Sequence, residues 1–203
     1  MAETIAIVAE DRLTEAVLRK CVSDALPSFK IVRSEVKNGR GNVQREINAY
    51  ANLAKALPVL VGVDLDSDPC PQAIVHRWAP DRHPNLIIRI ATREIESWVL
   101  ADRKRIARLI NANSDNIPME TDLLEDPKRF FLDLVRQFAN AELKRDLIPR
   151  NYGQYPRIGP AYNIQMCKFV ATRWRPSVAA KRSESLKRAM KALGRLDPLR
   201  ENG

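Results

Sequence analysis

Cysteine is scarce in this chain, with three in 203 residues. Cys21, Cys70 and Cys167 form an odd, scattered set without metal-ligand spacing, which argues against a disulfide framework or a zinc site and suits reduced thiols that only pack. Histidine is scarcer still, with two. His76 and His83 have no partner at ligand spacing, so a histidine metal centre or histidine base is not expected. No apolar run approaches the eighteen or so residues of a membrane span and no charged-then-apolar leader opens the chain. The expected compartment is the cytoplasm, with no membrane partner. The seven glycines make neither a GxGxxG nor a Walker pattern, which removes the familiar phosphate loops. Internal repeats and low-complexity tracts are also absent.

What the chain does have is acid at the ends of apolar runs. Pro58-Val59-Leu60-Val61-Gly62-Val63 reads as a strand covered on both faces, and it runs straight into Asp64-Leu65-Asp66-Ser67-Asp68-Pro69. The carboxyl end of a strand is where open α/β sheets bind ligands. On an extended chain Asp64, Asp66 and Asp68 share a side, and converging carboxylates repel unless a cation joins them. An all-oxygen set of this kind suits Mg²⁺ or Mn²⁺. A turn followed by a helix cap explains Ser67 and Asp68 equally well. It does not explain Asp64 and Asp66.

The same pattern recurs along the chain. Thr4 to Ala9 is a short strand ending in Glu10-Asp11, and Leu13, Ala16, Val17, Cys21 and Ala25 then mark one face of a helix stopped by Pro27. Asp11 and Glu15 lie four apart, on one face of its first turn, where acids also complement the helix dipole. Phe29 to Ser34 is a second strand. Asn38-Gly39-Arg40-Gly41-Asn42 is a glycine-bearing loop before a helix over 43–56, either a plain turn or a place where backbone amides and Arg40 meet phosphate. A helix over 70–78 follows the central strand. Asn85 to Ile90 is the fourth strand, entering Glu94-Ile95-Glu96-Ser97-Trp98. Glu94 and Glu96 stand about 200° apart on a regular helix, so both can face one metal only if Glu94 lies in the strand-to-helix turn.

Strand and helix alternation predicts an α/β fold, with a mostly parallel central sheet and helices on both faces. Residues 1–105 would hold this unit. Residues 106–203 would be a helical extension, with helices over 103–113 and 127–146, a loop over 149–162 rich in Pro, Gly and Tyr, and a basic final helix capped by Ser185. The formal net charge is +9, and residues 173–203 carry nine Lys or Arg against three Asp or Glu. A basic segment beside an acidic centre points to a polyanion such as DNA or RNA, although a solvated helix face reads the same way. Lys187, Arg188 and Lys191 lie on the outward face of that helix.

A glutamate after the first strand and an Asp-x-Asp after the third, in a unit of about a hundred residues, resembles the toprim domain of topoisomerases, primases and OLD-type nucleases. Glu10 matches the toprim glutamate, and Asp64 and Asp66 match the aspartate pair. With Glu94 to Asp102 and Asp126-Pro127-Lys128, the chain is similar to small bacterial toprim-like proteins of unknown function often encoded beside an ATPase. It departs from the nuclease pattern in two places. Asp11 replaces the usual glycine, and Glu15 follows Glu10 by five residues rather than four, so either Glu10 or Asp11 would be the ligand. The resemblance implies a Mg²⁺- or Mn²⁺-dependent nuclease, with Glu10, Asp64 and Asp66 catalytic and Asp11, Glu15, Asp68, Glu94 and Glu96 as further metal ligands. Lys128 would be an extra phosphate contact, and an ATPase in a defence-type system the partner. The alternative is a non-catalytic module of the same fold that docks nucleic acid or a partner protein.

Overall fold

The computed structural model describes residues 3–80, 82–149 and 158–196. Four strands, β1 (Thr4–Ala9), β2 (Lys30–Val36), β3 (Val59–Asp64) and β4 (Leu86–Ala91), form one parallel sheet in the order β2-β1-β3-β4. Every residue of β3 is buried, as is all of β1 after Thr4. That burial accounts for their apolar, β-branched runs, since a central parallel strand has no solvent face.

Parallel neighbours need crossovers, and helices supply them. Helix α1 (Arg12–Ala25) links β1 to β2, α2 (Arg40–Arg45) and α3 (Ile47–Leu53) link β2 to β3, and α4 (Pro71–Trp78) links β3 to β4. Alternate strand residues feed two cores. Ala6, Val8, Val59, Val61, Ile88 and Ile90 pack beneath α2, α3 and α4, around Val43, Ile47, Tyr50, Ile74 and Trp78. Ile5, Ile7, Leu60, Ile87 and Ala91 face the other way, onto Val17, Leu18 and Cys21 of α1.

This second core continues through the rest of the chain. Helices α5 (Ile95–Leu100), α6 (Arg103–Ile110), α7 (Pro127–Phe138), α8 (Ala141–Leu147), α9 (Tyr162–Thr172), α10 (Pro176–Ala179) and α11 (Glu184–Gly194) contribute Trp98, Ile106, Phe131, Leu147, Phe169, Ala179 and Leu186 to the same apolar cluster as Ile5. The fold is therefore α/β, with a parallel sheet covered on both faces and C-terminal helices added to one of them. Asp102, buried at the end of α5, accepts the Arg175 Nη2 at 2.6 Å and Nε at 2.9 Å, a bidentate pair that ties α5 to the last helices. Among the described residues no helix is long and apolar enough to cross a membrane.

Several boundaries differ from expectation, each for a local reason. The helix expected over 43–56 starts at Arg40, after Gly39 at φ 130°, and breaks at Glu46. The helix expected over 127–146 is two, because Ala139 turns extended and Asn140 caps α8 by accepting the Leu143 N–H at 2.9 Å. The helix over 103–113 ends at Ile110, where Asn111 adopts the left-handed conformation of a helix stop. Ser183, not Ser185, caps α11, accepting the Leu186 N–H at 3.1 Å. The loop expected over 149–162 falls largely on 150–157, outside the described residues.

Candidate active site

The sheet order reverses its direction of growth between β1 and β3, and ligands of open α/β sheets bind at such a switch point, outside the carboxyl ends of the strands. Glu10 follows β1 and Asp64 ends β3, so the two acids meet there. Glu10 donates its backbone N–H to Gly62 O at 3.1 Å, and its Oε2 accepts the Asp64 N–H at 3.1 Å. Asp11 turns back to cap α1, its Oδ1 accepting the Thr14 N–H at 2.7 Å.

The third and fourth acids arrive from β4. Glu94 is the residue before α5, with extended backbone (φ −141°, ψ 158°), while Glu96 is the second residue of that helix and is buried. The strand-to-helix turn thus brings both toward one side, as the spacing required. Lys128, at the start of α7, donates its backbone N–H to Glu94 Oε2 at 2.9 Å. Its Nζ lies 3.4 Å from Glu94 Oε1 and 3.4 Å from Glu96 Oε1. The latter oxygen also accepts the Tyr162 hydroxyl at 2.9 Å.

Glu10, Asp11, Asp64, Glu94 and Glu96 consequently share one electrostatic neighbourhood. Burial, then the charges of Glu96, Glu10 and Asp11, raise the Asp64 carboxyl well above its ordinary value, against a smaller pull from Lys128. Burial raises Glu96 to about 7, with Lys128 and Tyr162 opposing and Glu94 and Asp11 reinforcing. Glu10 is raised by burial and by Asp66 and Asp11. Burial pulls the Lys128 ammonium down, but Glu96, Glu94, Asp64 and Asp11 outweigh it and hold the group above its usual value. Asp64 Oδ1 and Glu96 Oε2 are buried without any hydrogen-bond partner among the described residues. Buried carboxylate oxygens ordinarily have one.

The remaining sequence candidates sit differently. The chain is not extended through 64–68: Asp66 is left-handed at φ 50°, opposite Arg93 at φ 62°, so the alternation of three aspartates on one side does not hold. Arg40 Nη1 donates to Leu65 O at 2.9 Å and pairs with Asp68 Oδ2 at 2.7 Å, and Arg77 reaches Asp68 Oδ1 at 3.3 Å. Arg93 Nη1 braces the same loop through Asp66 O at 2.9 Å. Asp66 keeps an exposed side chain beside Glu10 and 3.7 Å from Arg40. Glu15 faces away from the cluster's orphan oxygens, accepting Ser34 Oγ at 2.5 Å and Arg19 Nε at 2.9 Å. Lys187 and Arg188 are exposed on α11 and pair with Glu184, and Lys191 is exposed beside them.

Tyr162 and Arg93 were not singled out from sequence. Tyr162 lies 66 residues from the glutamate it touches, and nothing local marks that contact. No family model, no curated protein and no solved structure matches this chain.

The oxygen-only donors fit a hard divalent cation in kind. Among the described residues no three His, Cys, Asp or Glu side chains already converge as a ligand group. Mg²⁺ does not require that, because it keeps several waters and is commonly held by one or two carboxylates together with substrate phosphate.

Proposed function

We propose that this chain is a toprim-like, divalent-metal-dependent nuclease that hydrolyses phosphodiester bonds of DNA or RNA. The observation that carries the reading is the pair of orphan oxygens, Asp64 Oδ1 and Glu96 Oε2, buried within a cluster of five carboxylates of which Lys128 faces four, Asp11, Asp64, Glu94 and Glu96. Removing such charges from water is costly unless a cation or a proton compensates them. Asp64 and Glu96 would hold Mg²⁺ or Mn²⁺, with Glu10 or Asp11 completing the set. The ion would supply the Lewis acidity that phosphodiester hydrolysis uses. The chain's own residues prepare the site: Glu10 fixes the backbone of Asp64, Tyr162 orients Glu96, and Lys128 offsets part of the negative charge. An ATPase partner in a defence-type system is what the resemblance of Glu10, Asp64 and Asp66, with Glu94 to Asp102 and Asp126-Pro127-Lys128, to small toprim-like proteins implies.

A second reading is favoured by the Lys128 ammonium, which already pairs with both Glu94 and Glu96. In it the fold is a docking module for nucleic acid or a partner protein, and Lys128 takes the place of a metal. Calorimetry with Mn²⁺ and Mg²⁺ at pH 8, on the wild type and on Asp64→Asn, separates the two, with plasmid nicking and single-strand cleavage followed in parallel. Saturable binding and cleavage, both lost in the variant, support the nuclease. A wild type that takes up no metal at millimolar concentration and cleaves neither substrate in its presence sinks it and leaves the docking module.

A further inference from the structure

Among the described residues strand β4 is bonded to β3 alone, so its other edge offers unpaired backbone groups. That edge floors a groove of about 470 Å³ between α4 and α11, which includes Ile88, Arg89 and Ile90 of the strand and Thr92 just after it, together with Arg82 and Arg188. Arg89 is the one charged residue of a strand whose other five residues are buried and apolar. Its Nε is buried and finds no acceptor among the described residues.

The charges around Arg89 are of its own sign. Burial, then Arg82 and Arg195, pull its guanidinium below the ordinary value. Among the described residues no carboxylate makes an ion pair with Arg82, Arg89 or Arg195. The two acids of the groove are engaged elsewhere: Asp122 accepts Ser183 Oγ at 2.7 Å and the Ser185 N–H at 2.8 Å, and Glu184 pairs with Lys187 and Arg188. An inward charge on an edge strand also discourages edge-to-edge pairing. One arginine achieves that. Three guanidiniums gathered without a carboxylate partner among the described residues repel one another, and an anion relieves them.

We propose that the groove along the outer edge of β4 binds the phosphate backbone of a nucleic-acid strand, with Arg82 and Arg89 of its lining, and Arg195 close enough to act on Arg89, as its contacts. Guanidinium forks match phosphate oxygens in geometry as well as charge. The groove reaches Thr92, from which the chain runs through Arg93 to Glu94, so a strand held there leads toward the carboxylate cluster. The choice of a nucleic acid over another polyphosphate rests on the nuclease reading of that cluster.

The test is fluorescence anisotropy of a labelled oligothymidylate in EDTA, titrated with salt. The proteins are the wild type, Arg82→Ala/Arg195→Ala, in which both side chains are exposed, and Arg89→Met. The double variant should bind about tenfold more weakly, and the slope of log K against log salt should fall by about 1.4 for two lost phosphate contacts. Arg89→Met should weaken binding similarly. Unchanged affinity and slope in the double variant overturn the proposal, as does a wild type that binds no oligonucleotide. Orthophosphate that binds tightly and is not displaced by oligonucleotide overturns it in favour of a small-anion site. Self-association of Arg89→Met with unchanged oligonucleotide affinity overturns it in favour of edge protection. Because the metal is chelated, arginine-dependent binding without metal-dependent cleavage removes the nuclease and keeps the groove. Cleavage with groove variants that bind like wild type does the reverse.

Discussion

Glu10 Oε2 accepts the backbone N–H of Asp64 at 3.1 Å, joining residues 54 apart in the chain across the point where the sheet changes its direction of growth. The bond does two things at once. It extends the β1–β3 pairing beyond the strands, and it brings one carboxylate against the base of another. An acid with only a structural task would be better placed in solvent, since Glu10 is raised by burial and then by its acidic neighbours. The arrangement stores repulsion at the mouth of the sheet.

Asp64→Asn should release part of that repulsion. The carboxamide keeps the shape and removes a buried charge faced by Glu96, Glu10 and Asp11. We expect the metal-free variant to be more stable than the metal-free wild type by about 1 kcal/mol, a rise in melting temperature of about 2–4 °C for a chain of this size. Manganese should stabilise the wild type and leave the variant where it is. Scanning calorimetry with and without Mn²⁺ checks both. A variant that melts lower than the wild type in EDTA would mean that the Asp64 charge is already compensated within the protein.

Gly62→Ala addresses how α1 is seated. A Cβ at Gly62 would stand 2.7 Å from Leu18 Cδ1 and 3.1 Å from Thr14 Cγ2. Leu18 and Thr14 are buried, so their side chains must repack or α1 must shift, and Asp11, just after Glu10, caps that helix. Overpacking of this kind costs about 1–3 kcal/mol. Urea denaturation should show that loss, and any metal affinity should fall with it. Unchanged stability would mean that α1 stands further from β3 than described.

How far the sequence leads is seen in particular residues. Val59 to Val63 could be read as a buried strand because burial on both faces demands an apolar run, and Asp64 then had to lie at the strand's carboxyl end. Glu94 was legible only as a condition, since its place in a turn depends on how α5 leaves β4. The side-by-side placing of Asp64, Asp66 and Asp68 assumed an extended chain, and the left-handed Asp66 breaks it. Ser183 and Ser185 both fit a cap by type. Tertiary contacts decide between them, because Ser185 Oγ accepts the Trp98 indole N–H at 2.6 Å while Asp122 takes the Ser185 N–H. The sequence offers Lys128 as an extra phosphate contact, with no sign of carboxylates against it. Its carboxylate partners lie on α5 and in the turn before it, and periodicity does not report contacts between distant segments.

Acid should loosen the β2 edge through Glu35. Burial pushes this carboxyl up, but hydrogen bonds from Arg33, Tyr50 and Lys37 outweigh it and hold it below its ordinary value of 4.5. A depressed carboxyl contributes stability in full above the unfolded value, and the contribution is lost as pH falls through the folded one. Wild-type stability should therefore decline below about pH 4.5, and Glu35→Gln should show a shallower decline over that window with lower stability at pH 7. Chemical denaturation at a series of pH values measures it. Parallel curves for the two proteins would show that Glu35 adds nothing to the acid limb.

Lys128 offers the sharpest cycle. Its Nζ stands 3.4 Å from both Glu94 Oε1 and Glu96 Oε1, and its backbone N–H holds Glu94 as well. Lys128→Met keeps the backbone bond and removes the charge, leaving Glu94 and the buried Glu96 uncompensated. Breaking a buried pair from one side costs about 3–5 kcal/mol. Adding Glu96→Gln to Lys128→Met should restore most of that loss, because the carboxamide needs no counter-ion and still accepts the Tyr162 hydroxyl. The coupling energy from the four proteins should then be about 1–3 kcal/mol. Mn²⁺ adds a further expectation: in Lys128→Met the ion can take over the compensation that the ammonium gave, so the single variant should gain more stability from Mn²⁺ than the wild type does. If Lys128→Met is as stable as the wild type in EDTA, the ammonium is not balancing these glutamates. If it is destabilised and Mn²⁺ does not rescue it, the cluster holds a lysine in place of a metal, and the docking module becomes the better account.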